Sequence, residues 1–157
     1  MSAKSIVISD VDGCLTDGRY IYTTNGKVAK VFGPHDNDGV KLLRENNVDV
    51  VFISADKRGF PITKKRIEDM KCEVFNVSES DRVQWVKTYV SENGYTLSVF
   101  FGDGIGDVPV KDVVTYFVCP ANARKEAKES ADYITESIGG QGAFLDLAQW
   151  VINKGVL

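Results

Sequence analysis

The feature that most constrains this chain is a set of continuous apolar runs, each ending at a carboxylate or a hydroxyl. Ser5-Ile-Val-Ile-Ser9 leads into Asp10, Asp49-Val-Val-Phe-Ile53 leads into Ser54, and Leu97-Ser-Val-Phe-Phe101 leads into Gly102-Asp103. A strand that is apolar along its whole length is covered on both faces, as in a parallel sheet held between helices. Helix-like segments separate the runs: Asp38–Glu45, Ile62–Met70, Ser80–Glu92, Ala123–Ser130 and Ala143–Asn153. Ser80 or Asp81 is the expected cap of the third. Shorter strands are expected at Glu73–Val77, Thr115–Cys119 and Tyr133–Thr135. The alternation predicts an α/β fold, a doubly wound parallel sheet, in one domain over residues 1–157.

One segment departs from the alternation. Arg19–Phe32 contains two alternating runs about Asn25-Gly26. Asn-Gly predicts a β-hairpin closed by a type I′ turn, with positive φ at both central residues. The exposed edges and Tyr20, Tyr22 and Phe32 make this insertion, about residues 19–33, a candidate partner surface; a solvated ornament is the alternative.

Composition excludes several classes of function. Net charge is −3 and no Lys/Arg block is present, so a nucleic-acid partner is not expected. Apolar runs fall well short of the ~20 residues of a membrane helix. Met1 leads almost directly into a strand-like run, with no signal-peptide pattern. Three cysteines, Cys14, Cys72 and Cys119, form no CxxC pair and read as buried residues in a reducing compartment. The expected location is the cytoplasm.

Ligands of open parallel sheets bind outside the carboxyl ends of the strands. That edge is acidic here in two places, Asp10-Val-Asp-Gly-Cys-Leu-Thr-Asp17 and Gly102-Asp-Gly-Ile-Gly-Asp107. Carboxylates gathered at one edge repel one another, and a hard divalent cation relieves the repulsion; magnesium suits a site that also holds phosphate. Ser54 offers a hydroxyl and Arg82 a positive charge at neighbouring strand ends. Gly13, Gly39, Gly102, Gly104 and Gly106 allow backbone N–H groups close to an anion.

These residues resemble the motifs of the haloacid dehalogenase (HAD) superfamily. Asp10-Val-Asp-Gly-Cys-Leu-Thr resembles its first motif, Ser54 its second, and Gly102-Asp103 with Asp107 its fourth. Leu15-Thr-Asp-Gly18, the hairpin, Asp38-Gly39 and Gly139-Gly-Gln-Gly-Ala143 resemble a capless subfamily of phosphatases. Its members act on 3-deoxy-octulosonate 8-phosphate and related nonulosonate 9-phosphates. The resemblance implies a Rossmann-like HAD core with an inserted hairpin and no cap domain. Only about forty residues, Cys14 to Ile53, separate the first two motifs.

The resemblance also implies roles. Asp10 is the expected nucleophile, forming an aspartyl-phosphate, and Asp12 the expected acid for the leaving alcohol and then base for water. Magnesium is expected on Asp10, the backbone carbonyl of Asp12, and Asp103, with Asp107 a further ligand or an orienting residue. Ser54, Arg82, Gly13 and Ala55 are the expected phosphate contacts. The expected partners are a small phosphorylated sugar or metabolite and three copies of the chain, in a homotetramer built on the hairpins.

The chain departs from that pattern in two places. Arg82 stands where the third motif carries Lys, with Lys64 or Lys65 as alternatives. The second-motif loop is Ser54-Ala-Asp-Lys57 instead of Ser-Gly-Arg, and Gln141 stands in a tail that otherwise carries Arg. Two arginines associated with an acidic sugar are thus absent, and another small phosphorylated metabolite is the variant reading. A receiver domain of signalling proteins would also carry an acidic cluster, but gives no role to Asp12; a non-catalytic relative is the third reading. Asp17 reads as an Asx-turn residue or part of the site. Lys57 and Arg58 read as substrate contacts or a solvated loop, His35 and Arg66 as surface residues, and Trp85 and Trp150 as core or interface.

Overall fold

The computed structural model describes residues 3–154. Six parallel strands form the sheet: β1 (Ser5–Asp10), β4 (Val48–Ser54), β5 (Glu73–Asn76), β6 (Leu97–Phe101), β7 (Tyr116–Cys119) and β8 (Tyr133–Ile134). Their spatial order is β5-β4-β1-β6-β7-β8. From β1 the chain winds outward through β4 to β5, then returns to place β6 on the other side of β1. This reversal opens a crevice at the carboxyl ends of β1 and β6.

The helices are α1 (His35–Glu45), α2 (Phe60–Asp69), α3 (Arg82–Glu92), α4 (Lys125–Ser130) and α5 (Ala143–Asn153), with a 3₁₀ segment at Ile105–Val113. Every residue of β1 is buried, and its side chains alternate between two cores. Val7 packs with Leu43 of α1, Ile67 of α2 and Phe144 and Leu147 of α5. Ile6 and Ile8 pack with Val86 of α3, Ala127 of α4 and Val110 of the 3₁₀ segment. Each large apolar side chain so buried contributes about 1.5–3 kcal/mol, which clamps β1, and Asp10 at its end, from both faces. Among the described residues no helix is long and apolar enough to cross a membrane.

The hairpin consists of β2 (Tyr20–Thr23) and β3 (Gly26–Lys30), a two-stranded antiparallel sheet of its own. Its turn differs from the type I′ expectation. Thr23 pairs with Gly26, so Thr24 and Asn25 are the central residues, and positive φ occurs at Gly26 (98°) but not at Asn25. Glycine in the left-handed region thus sits after the two turn residues, as in hairpins closed by a type I turn. The register also shifts: Ile21 faces Ala29 but Tyr22 faces Lys27, leaving Val28 as the extra residue of a bulge.

Several boundaries move by a turn. α1 begins at His35 instead of Asp38, because Pro34 enters with helical φ and Asp36 and Asp38 suit the positive N-terminal end. α2 begins at Phe60, with Pro61 in its first turn. α4 begins at Lys125, because Ala123 closes a turn onto the carbonyl of Pro120 at 3.0 Å. Asp81 is the N-cap of α3, but neither it nor Ser80 caps with its side chain; the Asp81 carboxylate accepts from the Ser78 hydroxyl at 2.9 Å. Trp85 and Trp150 lie half-buried at the edges of the two cores, stacked on Tyr89 and Tyr133. All three cysteines are buried and free.

Candidate active site

The strand ends and the loops after them enclose a cavity of about 400 Å³. Asp10, Asp103 and Asp107 form its floor, each placing one carboxylate oxygen within 4.8 Å of the others. Asp10 is held by β1, and its Oδ1 accepts the N–H of Val11 at 2.9 Å. Asp103 follows β6. Gly13 passes so close above it that a Cβ would overlap the Asp103 carboxylate, and its φ of +86° also favours glycine. Asp107 is carried back by the 3₁₀ segment, and its Oδ2 accepts the N–H groups of Asp103 and Gly104, both at 3.0 Å. Its Oδ1 accepts from the guanidinium of Arg82.

The electrostatics follow from this crowding. Burial, then the charges of Asp107 and Asp103, push the Asp10 carboxyl well above its usual range, against the pull of Arg82. Burial and Asp107 push Asp103 up to about 6. Burial also raises Asp107, opposed chiefly by Arg82. Three carboxylates that resist ionisation together are a donor set suited to a hard divalent cation. Asp10 and Asp103 have the freer oxygens. Asp107 is engaged at both of its oxygens, so the geometry favours an orienting place for it.

Arg82 opens α3 and is buried, with its Nε lacking a protein partner. The alternatives to it are excluded: Lys64 and Lys65 lie on the outer face of α2, paired with Glu68 and Asp69. Asp12 lines the same cavity but is not one of the three clustered carboxylates. Its Oδ1 lies 2.8 Å from Lys30 Nζ, and its Oδ2 accepts the Ser54 hydroxyl at 3.4 Å. Ser54 is fully buried beneath the cavity, and Ala55 after it reaches the lining.

No family model matches the chain. It is 29% identical to the 3-deoxy-D-manno-octulosonate 8-phosphate phosphatase KdsC of Haemophilus influenzae, over 94% of this chain and 82% of that protein. The solved cobalt-bound deoxy-D-mannose-octulosonate 8-phosphate phosphatase (YrbI) of Haemophilus influenzae superposes with a TM-score of 0.86 at 27% identity, covering 96% of this chain and 88% of that one. A Legionella pneumophila structure described as a HAD superfamily (subfamily III A) hydrolase superposes with a TM-score of 0.85 at 27% identity, covering 96% and 82%. These likenesses support a KdsC-like protein of the HAD type.

On this HAD core the hairpin leans over the cavity, and it brings residues that the sequence did not mark. Lys27 and Tyr20 line the wall, with Lys27 Nζ 3.9 Å from the centre of the Tyr20 ring. Asp56, from the second-motif loop, accepts from Lys27 at 2.7 Å and Lys30 at 2.9 Å. Those bonds hold its carboxyl far below the usual range although burial opposes them. Strict alternation would put Lys27 and Lys30 on opposite faces of β3; the bulge at Val28 turns both toward Asp56. Glu79 completes the rim. Nothing short of the folded hairpin signals these contacts.

The remaining candidates lie outside the cavity. Asp17 forms the Asx-turn, its Oδ1 accepting the N–H of Arg19 at 3.0 Å. Lys57 and Arg58 are exposed and do not reach the lining. His35 is at the surface beside Asp38. Arg66 is less exposed than its basic helix suggested: it crosses to the carbonyl of Gly33 at 2.9 Å. Gln141 lines a separate apolar groove with Tyr20, Ile21 and Val31.

Proposed function

We propose that this phosphatase cleaves phosphate monoesters by nucleophilic attack from Asp10, and that its substrate is an acidic sugar phosphate of the 3-deoxy-octulosonate 8-phosphate or nonulosonate 9-phosphate class. The observation that carries the reading is the division of labour in the cavity. Asp10 stands in a three-carboxylate cluster beside Arg82, while Asp12 is held apart with both oxygens hydrogen-bonded.

In the first step an oxygen of Asp10 attacks phosphorus and the bond to the leaving oxygen breaks, leaving an aspartyl-phosphate. Asp12 enters this step protonated, gives its proton to the leaving oxygen and is left as the carboxylate. In the second step Asp12 takes a proton from water, whose oxygen attacks phosphorus; phosphate departs and Asp10 is regenerated. Arg82 sets a positive charge beside the phosphoryl group, with donors beyond the one given to Asp107. Asp10, Asp103 and the carbonyl of Asp12 would hold magnesium, oriented by Asp107. Bound there, it keeps the carboxylates ionised and neutralises charge on the phosphoryl oxygens. Ala55 brings a backbone N–H to the phosphate, with Ser54 beneath it; the expected contact from Gly13 is not made, because its N–H is already given to Thr16 Oγ1 at 3.1 Å and Gly13 lies outside the lining.

The identity of the curated relative supports the sugar acid as substrate. A second reading, another small phosphorylated metabolite, is favoured by one observation. Asp56 and Glu79 border the cavity where a substrate carboxylate would need cations, and Lys27 is already paired with Asp56. Phosphate release from a panel that includes both sugar acid phosphates and neutral sugar phosphates decides between them. The panel is run with magnesium, with EDTA, and with Asp10→Asn. Magnesium-dependent release lost in the variant is expected. No release from any ester by folded protein that binds magnesium would overturn the reading.

We also propose a homotetramer in a single-domain cytoplasmic enzyme, with the hairpins at its centre. Tyr20, Ile21, Tyr22, Val28 and Val31 are exposed, Val31 by 70%, on a two-stranded sheet with open edges. Val31→Glu is expected to shift sedimentation from tetramer toward smaller species; a wild-type monomer would refute the assembly.

A further inference from the structure

Lys30 is a lysine whose side chain is wholly buried, on an insertion where Tyr20, Ile21, Tyr22, Val28 and Val31 are exposed. A buried ammonium is costly unless each of its three donors is satisfied. Here each one is: Asp12 Oδ1 at 2.8 Å, Asp56 Oδ2 at 2.9 Å and Thr63 Oγ1 at 2.8 Å. Thr63 belongs to α2 and is itself fully buried. Asp56 is anchored separately, by Lys27, by the N–H of Gly59 at 3.1 Å, and through its own N–H to Ser54 Oγ at 3.2 Å. The ammonium is therefore fixed by the core of the domain, and the hairpin only delivers it.

We infer that Lys30 is a positioning residue for proton transfer, holding the carboxylate of Asp12 on the hairpin side of the cavity, where the leaving alcohol departs. The inference rests on the role proposed for Asp12. Asp12 follows Asp10 by two residues on a tight loop, and the charges of the floor would otherwise compete for where its carboxylate points. Lys30 takes one oxygen and Ser54 the other, which fixes the carboxylate in the cavity that Tyr20 and Lys27 also line. Lys30 gives up no proton itself. The proton travels from Asp12 to the oxygen released as the P–O bond breaks, and Lys30 sets the distance and direction of that transfer.

The test compares leaving groups in the first turnover of the magnesium-loaded enzyme. p-Nitrophenyl phosphate releases an anion that needs no proton, whereas a primary alkyl phosphate releases an alkoxide that does. Lys30→Met is expected to slow alkyl ester cleavage about a hundredfold, with p-nitrophenolate release nearly as fast as in the wild type and KM little changed for both. Thr63→Val removes one acceptor without changing charge and is expected to give a smaller loss, again confined to the alkyl ester; it keeps the test open if Lys30→Met does not fold. Asp12→Asn is the control. If it is selective for the alkyl ester and the Lys30 and Thr63 variants slow both esters equally, or neither, the inference falls alone. If Asp12→Asn shows no selectivity, the role of Asp12 falls and the inference with it.

Discussion

Arg82 and Asp107 form a buried ion pair across the back of the active site, joining the first turn of α3 to the 3₁₀ segment after β6. Removing one partner of a buried pair leaves the other charge unmatched, at a cost of about 3–5 kcal/mol. Arg82→Ala is expected to lower the denaturation midpoint accordingly and to reduce phosphatase turnover at least about a hundredfold, since it also removes a cation from beside Asp10. Arg82→Lys keeps the charge but loses the planar fork, and should retain more activity than the alanine variant. Urea titration read alongside steady-state kinetics separates the two effects.

The three-carboxylate floor predicts metal-linked stability. Magnesium is expected to raise the melting temperature of the wild type in proportion to its occupancy. Asp103→Asn removes one of the repelling charges, so without metal this variant should melt higher than the wild type. It should also need at least about tenfold more magnesium for half-maximal activity. A thermal shift series across magnesium concentrations, without substrate, checks both melting shifts, and a magnesium titration of phosphate release checks the activity.

Gly139 predicts a dependence of the site on the distant chain segment before α5. A Cβ there would run into the carbonyls of Gly13 and Thr16, and the Gly139 N–H donates to Asn122 Oδ1 at 2.7 Å. Both obstructing atoms are backbone in the loop that carries Asp12, so neither can swing aside. Gly139→Ala is expected to displace that loop, lowering both melting temperature and kcat. Gly26→Ala, in the hairpin turn, has open space around its Cβ and should cost mainly backbone strain there, with a smaller effect on kcat. Equal activity in the Gly139 variant and the wild type would refute the coupling.

Asp36 predicts a pH dependence independent of the catalytic cluster. Both of its carboxylate oxygens are buried without a hydrogen-bond partner, and burial pushes its pKa up to about 7, against the nearby charges of Arg66 and His35. In the unfolded chain the value is about 3.9. The folded form thus binds the proton more tightly, and the stability this provides is complete below about pH 4 and lost as pH rises toward 7. Asp36→Asn cannot ionise, so its melting temperature should gain on the wild type between pH 5 and pH 8. A constant difference across that range would show that Asp36 does not titrate there.

Much of the fold was legible because a strand buried on both faces needs an unbroken apolar run, and such runs stand out against charged helices. β1, β4 and β6 were recognisable from that requirement alone, and α5 from its apolar spacing. The 3₁₀ segment Ile105–Val113 was not, since Pro109 and the glycines around it read as loop. The helix starts at His35 and Phe60 were missed because a proline at the cap, as Pro34, or in the first turn, as Pro61, looks like a breaker until the preceding backbone is known.

Which carboxylates meet follows from strand order and apolar patterning. Asp10 and Asp103 end neighbouring strands of a parallel sheet, and the sheet's geometry brings them to one edge whatever surrounds them. Their surroundings come from the packing of distant segments. Lys30 carries no signal in the sequence; the bulge at Val28 turns it inward onto Asp12, Asp56 and Thr63, which come from three separate segments. Arg82 reads as the expected phosphate cation, but its ion pair with Asp107 exists only once Asp107 is folded back to meet it. Apolar periodicity is a local property written in consecutive residues. The pairing of a buried charge depends on groups far apart in the chain, and becomes fixed only when the packed core leaves it no water to turn to.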